Sequence, residues 1–113
     1  MDVDSEHTFY KVCREEEIQE NEGKLVHAGT KKLALFLVEG QYYCIQNFCP
    51  HAGGFLALGP VEGFIVRCPR HAWGFDMRSG ACKTNPRYEA NCYPVKTQDG
   101  EIWVGLPNST DPL

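Results

Sequence analysis

The sequence predicts an all-β protein, and three observations carry that expectation. Short runs of β-branched and aromatic residues recur between glycine, proline and asparagine punctuation, and Asp99-Gly100 sits between two of them as a hairpin turn signal. No segment carries the apolar stripe of a stable amphipathic helix. At 113 residues, with 42% hydrophobic content, eleven Gly and seven Pro, the chain holds one loop-rich domain and has no room for a second, catalytic one.

Residues 8–14 alternate around Phe9, Lys11, Val12 and Cys13 and are expected to form the first strand. Residues 15–22 contain a single apolar side chain, Ile18, so one helical turn or a solvated loop closed by Gly23 is expected. Residues 24–28 and 33–38, separated by Gly29-Thr30-Lys31-Lys32, and then 41–46, entered through Glu39-Gly40, read as an antiparallel meander. Within it His27 is read as a packed or surface residue, and Cys44, between Tyr43 and Ile45, as a small buried hydrophobe. Residues 61–68 are expected as one strand, with Gly63 a bulge or the inner corner of a tight turn. A short strand over 75–77 ends at Arg78-Ser79-Gly80, and 93–97 with 101–106 close the chain as a hairpin. The tail, 107–113, is expected to fray.

The net charge of −4 is uneven: residues 1–40 hold nine acidic and five basic side chains, and 41–113 hold six of each. From Arg67 to Arg87 five cations (Arg67, Arg70, Arg78, Lys83, Arg87) face one anion, Asp76. Such a polarity would orient a charged partner. The absence of a basic patch interleaved with aromatics argues against nucleic acid. The acidic start, Met-Asp-Val-Asp-Ser-Glu, is unlike a signal peptide, and no run reaches membrane-spanning length, so an intracellular, cytoplasmic, monomeric protein without a membrane partner is expected. Six cysteines in that setting are not a disulfide framework, and Cys13, Cys44, Cys82 and Cys92 are read as free thiols without an assigned role, Cys13 as an exposed one.

The chemistry is concentrated in Cys49-Pro50-His51 and Cys68-Pro69-Arg70-His71, separated by sixteen residues. Two thiolates and two imidazoles favour zinc or iron over hard cations. Structural zinc sites tend to use CxxC knuckles or pair their histidines on one helix. Here each pair is mixed and lies on a Gly/Pro-bearing loop between expected strands, which suits a [2Fe–2S] cluster with one iron on two thiolates and the other on two imidazoles. The residue pattern leaves both metals open and favours the cluster. Ala52-Gly53-Gly54 lacks large side chains, so backbone N–H groups can approach bridging sulfides.

Cys49-Pro-His51-Ala-Gly-Gly, Cys68-Pro-Arg-His71-Ala-Trp-Gly-Phe-Asp and Arg78-Ser-Gly80 together resemble the cluster-binding region of the Rieske family, in particular its soluble ferredoxins, the small Rieske-like subunits of assimilatory nitrite reductases and the animal proteins described simply as Rieske-domain-containing. The resemblance runs from about residue 10 to 106 and is specific between 49 and 80. It implies an antiparallel β sandwich or barrel with a base subdomain (8–46 and 88–106) and a small cluster-binding subdomain (47–87). It implies one [2Fe–2S] cluster, with Cys49 and Cys68 on the buried iron and His51 and His71 on the outer one. Asn85-Pro86-Arg87 falls where the family has a proline-bearing loop that shields the cluster, and matches it in part.

Departures from the family pattern sharpen the expectation. Respiratory-chain members carry an extra cysteine in each loop, bonded to each other; the corresponding residues here are Gly54 and Arg70, so no such bridge forms. High-potential members place a serine and a tyrosine hydroxyl beside the sulfurs, where this chain has Trp73 and Phe75. Two neutral histidines make reduction easier than in a four-cysteine cluster, and loss of two donors makes it harder again. The expected potential lies near the low end of the family range of about −150 to +300 mV.

The function implied is that of a one-electron carrier, reduced by a flavin-type reductase and oxidised by an oxygenase or another redox enzyme, with no substrate chemistry of its own. A mononuclear iron site would need a separate 2-His-1-carboxylate set, and His7 and His27 lie before any domain that could host it. A non-catalytic Rieske subunit or sensor of a larger reductase is the alternative, and a structural zinc module a third.

Overall fold

The computed structural model describes residues 7–51 and 53–108. These described residues are all-β, with ten strands in three antiparallel sheets. Strands β1 (His7–Arg14), β10 (Glu101–Pro107) and β9 (Val95–Gln98) form the first, in the order β1-β10-β9. Strands β2 (Gly23–Ala28), β3 (Lys31–Val38), β4 (Gln41–Gln46) and β8 (Cys92–Tyr93) form the second in that order, and β5 (Val61–Glu62), β6 (Ile65–Arg67) and β7 (Gly74–Asp76) the third. No helix among the described residues is long and apolar enough to cross a membrane.

The central strand explains how the three sheets share one molecule. The sequence of β3, KKLALFLV, is an apolar run without polar alternation, and both of its faces are covered. Leu33 and Leu35 pack with Cys13, Cys44, Ile102 and Val104 beneath the first sheet. Ala34, Phe36 and Val38 point the other way and pack with Ile45 of the neighbouring β4, with Val66 and Phe75 of the third sheet and with Met77 just beyond it. Cys49 and Cys68 belong to this second core, so the packing that joins the sheets also fixes the backbone from which both thiols project.

Most expected strands form, and two differences have local causes. Residues 61–68 are a hairpin, because Gly63 takes φ +61° and turns the chain between β5 and β6. The expected strand over 93–97 divides at Pro94: β8 pairs with β4 and β9 with β10, and proline has no N–H with which to continue one ladder. The acidic stretch supplies one 3₁₀ turn, Glu15–Glu17, after which Ile18 is buried.

Cys13 is corrected from exposed to buried: pairing slips between Lys11 and Cys13, and this bulge turns the thiol into the core. Burial, with Glu17 nearby, pushes its pKa up to about 11. Cys44 is buried as expected, and desolvation raises its pKa further. Both residues of the Asp99-Gly100 turn, and both of Glu39-Gly40, have positive φ, the geometry that matches strand twist in a two-residue hairpin. Pro107 is the last residue of β10, opposite His7; the rest of the expected tail from 109 onward, and Ala52 of the first motif, lie outside the described residues.

Candidate metal centre

Two loops leave the same end of the molecule. The first follows β4, where fully buried Asn47 closes it: its side-chain Oδ1 accepts the Ala57 N–H at 3.0 Å and its carbonyl the Leu56 N–H at 2.7 Å. The second connects β6 to β7. The Arg67 Nη1 donates to the Ala72 carbonyl at 3.1 Å, and its Nε to Glu62 at 2.9 Å, which holds this loop against β5.

The two loops have the same internal frame. Cys49 N–H donates to the Gly54 carbonyl at 2.8 Å, and Gly53 N–H returns to the Cys49 carbonyl at 2.9 Å. Cys68 N–H donates to the Trp73 carbonyl at 2.8 Å, and Ala72 N–H returns to the Cys68 carbonyl at 2.8 Å. The residue four places after each cysteine is left-handed: Gly53 at φ +71° and Ala72 at φ +62°. Glycine takes that conformation without cost, whereas alanine is held there against a penalty of about 1–2 kcal/mol. Sequence reading missed Ala72; aligning the two loops on Cys49 and Cys68 sets it opposite Gly53 and would have found it.

The four candidate ligands divide by burial. Cys49 is 3% and Cys68 1% exposed, within the core shared by the second and third sheets. His51 and His71 are exposed, with ring centroids 5.4 Å apart. A Cβ at Gly54 would stand 2.7 Å from the Cys68 Sγ and 2.9 Å from the Arg70 Cγ, so the glycine leaves room for the opposite loop's thiol and for the Arg70 stem. This contact places Gly54 and Arg70 side by side.

Aromatic residues from other segments enclose His51. Trp73 stacks on its imidazole at 3.7 Å with the planes 3° apart, and Tyr88 meets it edge-on at 5.7 Å. Tyr88 also packs on Trp73 at 5.2 Å. It arrives on a strap held to β7 by Lys83 N–H to the Gly74 carbonyl at 2.7 Å and Gly74 N–H to Thr84 Oγ1 at 3.0 Å. The strap turns through Asn85-Pro86-Arg87, with the Cys82 thiol accepting the Asn85 N–H at 3.3 Å. Phe75 is fully buried in the thiol-bearing core, and Trp73 is committed to His51; neither carries a hydroxyl.

The donor set suits a two-iron cluster. A [2Fe–2S] centre of mixed ligation asks two protein donors of each iron, which matches two buried thiols beneath two surface imidazoles.

A family profile described as the Rieske [2Fe-2S] domain matches residues 8–98. The biphenyl dioxygenase ferredoxin subunit of Pseudomonas sp. (strain KKS102) is 30% identical over 99 residues, covering 86% of this chain and 91% of that protein. The solved ferredoxin of Sphingomonas yanoikuyae B1 superposes with a TM-score of 0.81 at 28% identity, covering 88% of this chain and 100% of the other. The ferredoxin in a complex of reduced oxygenase and oxidised ferredoxin of carbazole 1,9a-dioxygenase gives a TM-score of 0.78 at 26% identity, covering 85% and 91%. The fold, the two matching loops and these relatives agree: the chain belongs to the Rieske [2Fe–2S] domain family.

Proposed function

We propose that this chain is a one-electron carrier in which Cys49 and Cys68 bind the inner iron of the cluster and His51 and His71 the outer one. The observation that carries the reading is the burial gradient across the four donors, from 3% and 1% exposure at the thiols to solvent-facing imidazoles 5.4 Å apart. Bound there, the cluster supplies a one-electron redox couple. Core packing holds the thiols, the paired loop frames hold the backbone, and Trp73 and Tyr88 hold the His51 ring.

In this reading residues 47–87 form the cluster-binding subdomain and 8–46 with 88–106 the base, and the Asn85-Pro86-Arg87 turn shields the site by carrying Tyr88 onto His51. Relatives that are ferredoxin components of dioxygenase systems, one solved in complex with its oxygenase, support an oxygenase as acceptor and a flavin-type reductase as donor. Substrate chemistry then belongs to the partner, and the carrier works as a cytoplasmic monomer.

The test is spectroscopic. The purified protein should be coloured, and on one-electron reduction should give the low average g-value of a cluster with two histidine ligands. Cys49→Ser and Cys68→Ser should lose the cluster, since metal binding and loop structure are coupled. An unaltered spectrum in His71→Ala would overturn the ligand assignment. A midpoint potential above about +100 mV would contradict the argument from the missing hydroxyls.

A further inference from the structure

The charge on this molecule is sorted along the strands of the central sheet. At one end, the β3–β4 turn carries Glu39, whose N–H is held by the Glu20 carboxylate, with Glu22 close by in the chain. At the other end β3 begins with Lys31 and Lys32, beside the point where β4 ends at Gln46 and the first loop departs. Lys31, Lys32 and Arg70 are exposed and make no ion pair among the described residues, whereas Lys11, Arg14, Lys24, Arg67 and Arg78 are all paired with carboxylates.

An exposed aromatic pair joins these free cations. Phe48 (46% exposed) and Phe55 (45%) flank the first loop and meet edge to face at 5.3 Å. Phe48 also lines a cleft of about 460 Å³ whose rim includes Lys31 and Lys32 and whose lining contains no acidic residue. On the other side Phe55 adjoins Gly54, against which the Arg70 stem lies. The contacts run without a break from Lys31 to Arg70, the residue next to His71.

We propose that this strip, Lys31, Lys32, Phe48, Phe55 and Arg70, is the docking face for a redox partner that presents an apolar spot ringed by carboxylates. The inference rests on the carrier reading and adds the partner's surface chemistry and the side from which it approaches. Two solvent-facing phenyl rings bury apolar area on contact, and unpaired cations around them select a partner of opposite sign. The net charge of −4 gives the opposite expectation, repulsion of an acidic partner, so the sign of the salt dependence distinguishes a local basic face from the overall charge.

The experiment uses two haem proteins as probes: cytochrome b5, with an acidic collar around its haem edge, and cytochrome c, with a basic one. The chemically reduced, cluster-loaded protein is mixed with ferric cytochrome b5, one electron passing to each haem, and the rate is followed by haem absorption from about 0.01 to about 0.5 M ionic strength. The rate should fall as salt rises. At low salt the Lys31→Glu/Lys32→Glu and Arg70→Glu proteins should each react about tenfold more slowly, with the difference vanishing at high salt. Lys24→Glu should match the parent, and Phe48→Ser should be slower at every ionic strength. Amide resonances of Lys31 and Lys32 should shift when oxidised cytochrome b5 is titrated in. A cytochrome b5 rate that rises with salt, while the cytochrome c rate falls, would overturn the proposal, as would charge-reversed proteins with parental rates. Failure of the carrier reading looks different: the amides still shift with cytochrome b5, but neither haem protein is reduced.

Discussion

The contrast between Gly53 and Gly54 gives the sharpest test of how the loops are built. A methyl group at Gly54 would lie 2.7 Å from the Cys68 Sγ and 2.9 Å from the Arg70 Cγ. Comfortable contacts between carbon atoms are about 3.5–4.0 Å, so something must move by about 1 Å. The Arg70 stem is exposed and can swing aside; the thiol is 1% exposed in a packed core and cannot. Overpacking of this kind costs about 1–3 kcal/mol. Gly53 is the complementary case, with φ +71° and nothing within 4 Å of an added Cβ. There alanine brings only backbone strain of about 1–2 kcal/mol, offset by about 0.4–1 kcal/mol of lost freedom in the unfolded chain. In a domain of this size about 1 kcal/mol corresponds to about 4–8 °C in Tm. Gly54→Ala should therefore lower Tm by about 4–24 °C and reduce iron content per chain, because it displaces the proposed ligand Cys68. Gly53→Ala should lower Tm by a few degrees with full iron content. Calorimetry and iron analysis on both variants decide the matter. Parental stability and iron in Gly54→Ala, or iron loss confined to Gly53→Ala, would refute the packing argument.

Further expectations follow from other residues. Phe75→Tyr, which puts a hydroxyl into the thiol-bearing core, should raise the midpoint potential; a hydrogen bond favouring the reduced form by about 1.4 kcal/mol is worth about 59 mV for one electron, and an unchanged redox titration would show that the hydroxyl does not reach sulfur. Asp76 is nearly buried, and its carboxylate accepts Arg78 N–H groups at 2.9 and 3.0 Å, which holds its pKa below the usual carboxylate value. A lowered folded-state pKa adds stability that is fully present above the unfolded value and is lost as pH falls through the folded one. Asp76→Asn should accordingly destabilise the protein at pH 7, and the gap from the parent should close in acid, as chemical denaturation across pH would reveal. A thiol reagent at mildly alkaline pH should label exposed Cys92 well before Cys13 or Cys44, whose buried thiols titrate far above that range; mass mapping of the labelled peptides checks the order.

The proposed donors were legible in the sequence because their chemistry is local. Cys49-Pro-His51 and Cys68-Pro-Arg-His71 name their own donors, and the flanking glycines mark the loops that present them. Hairpins were legible for the same reason, since Asp99-Gly100 and Glu39-Gly40 encode the backbone twist of their own turns. Elements were misjudged where two neighbours competed for one strand. Pro94 splits a run that reads as continuous, because its two halves belong to different sheets, and Cys13 turns inward at a bulge set by its pairing with β10.

The sequence by itself determined that two cysteines and two histidines stand in the paired loops as the proposed ligands and that Gly54 and Arg70 cannot form a disulfide, since both depend only on which residue stands at each position. The tertiary structure decided what surrounds those atoms. Trp73 lies flat on His51, Tyr88 closes in from a strap more than thirty positions downstream, and the Phe48–Phe55 pair is flanked by Lys31 and Lys32 from another strand. Such contacts join segments far apart in the chain, and only the packing of three sheets on the two faces of β3 brings them together.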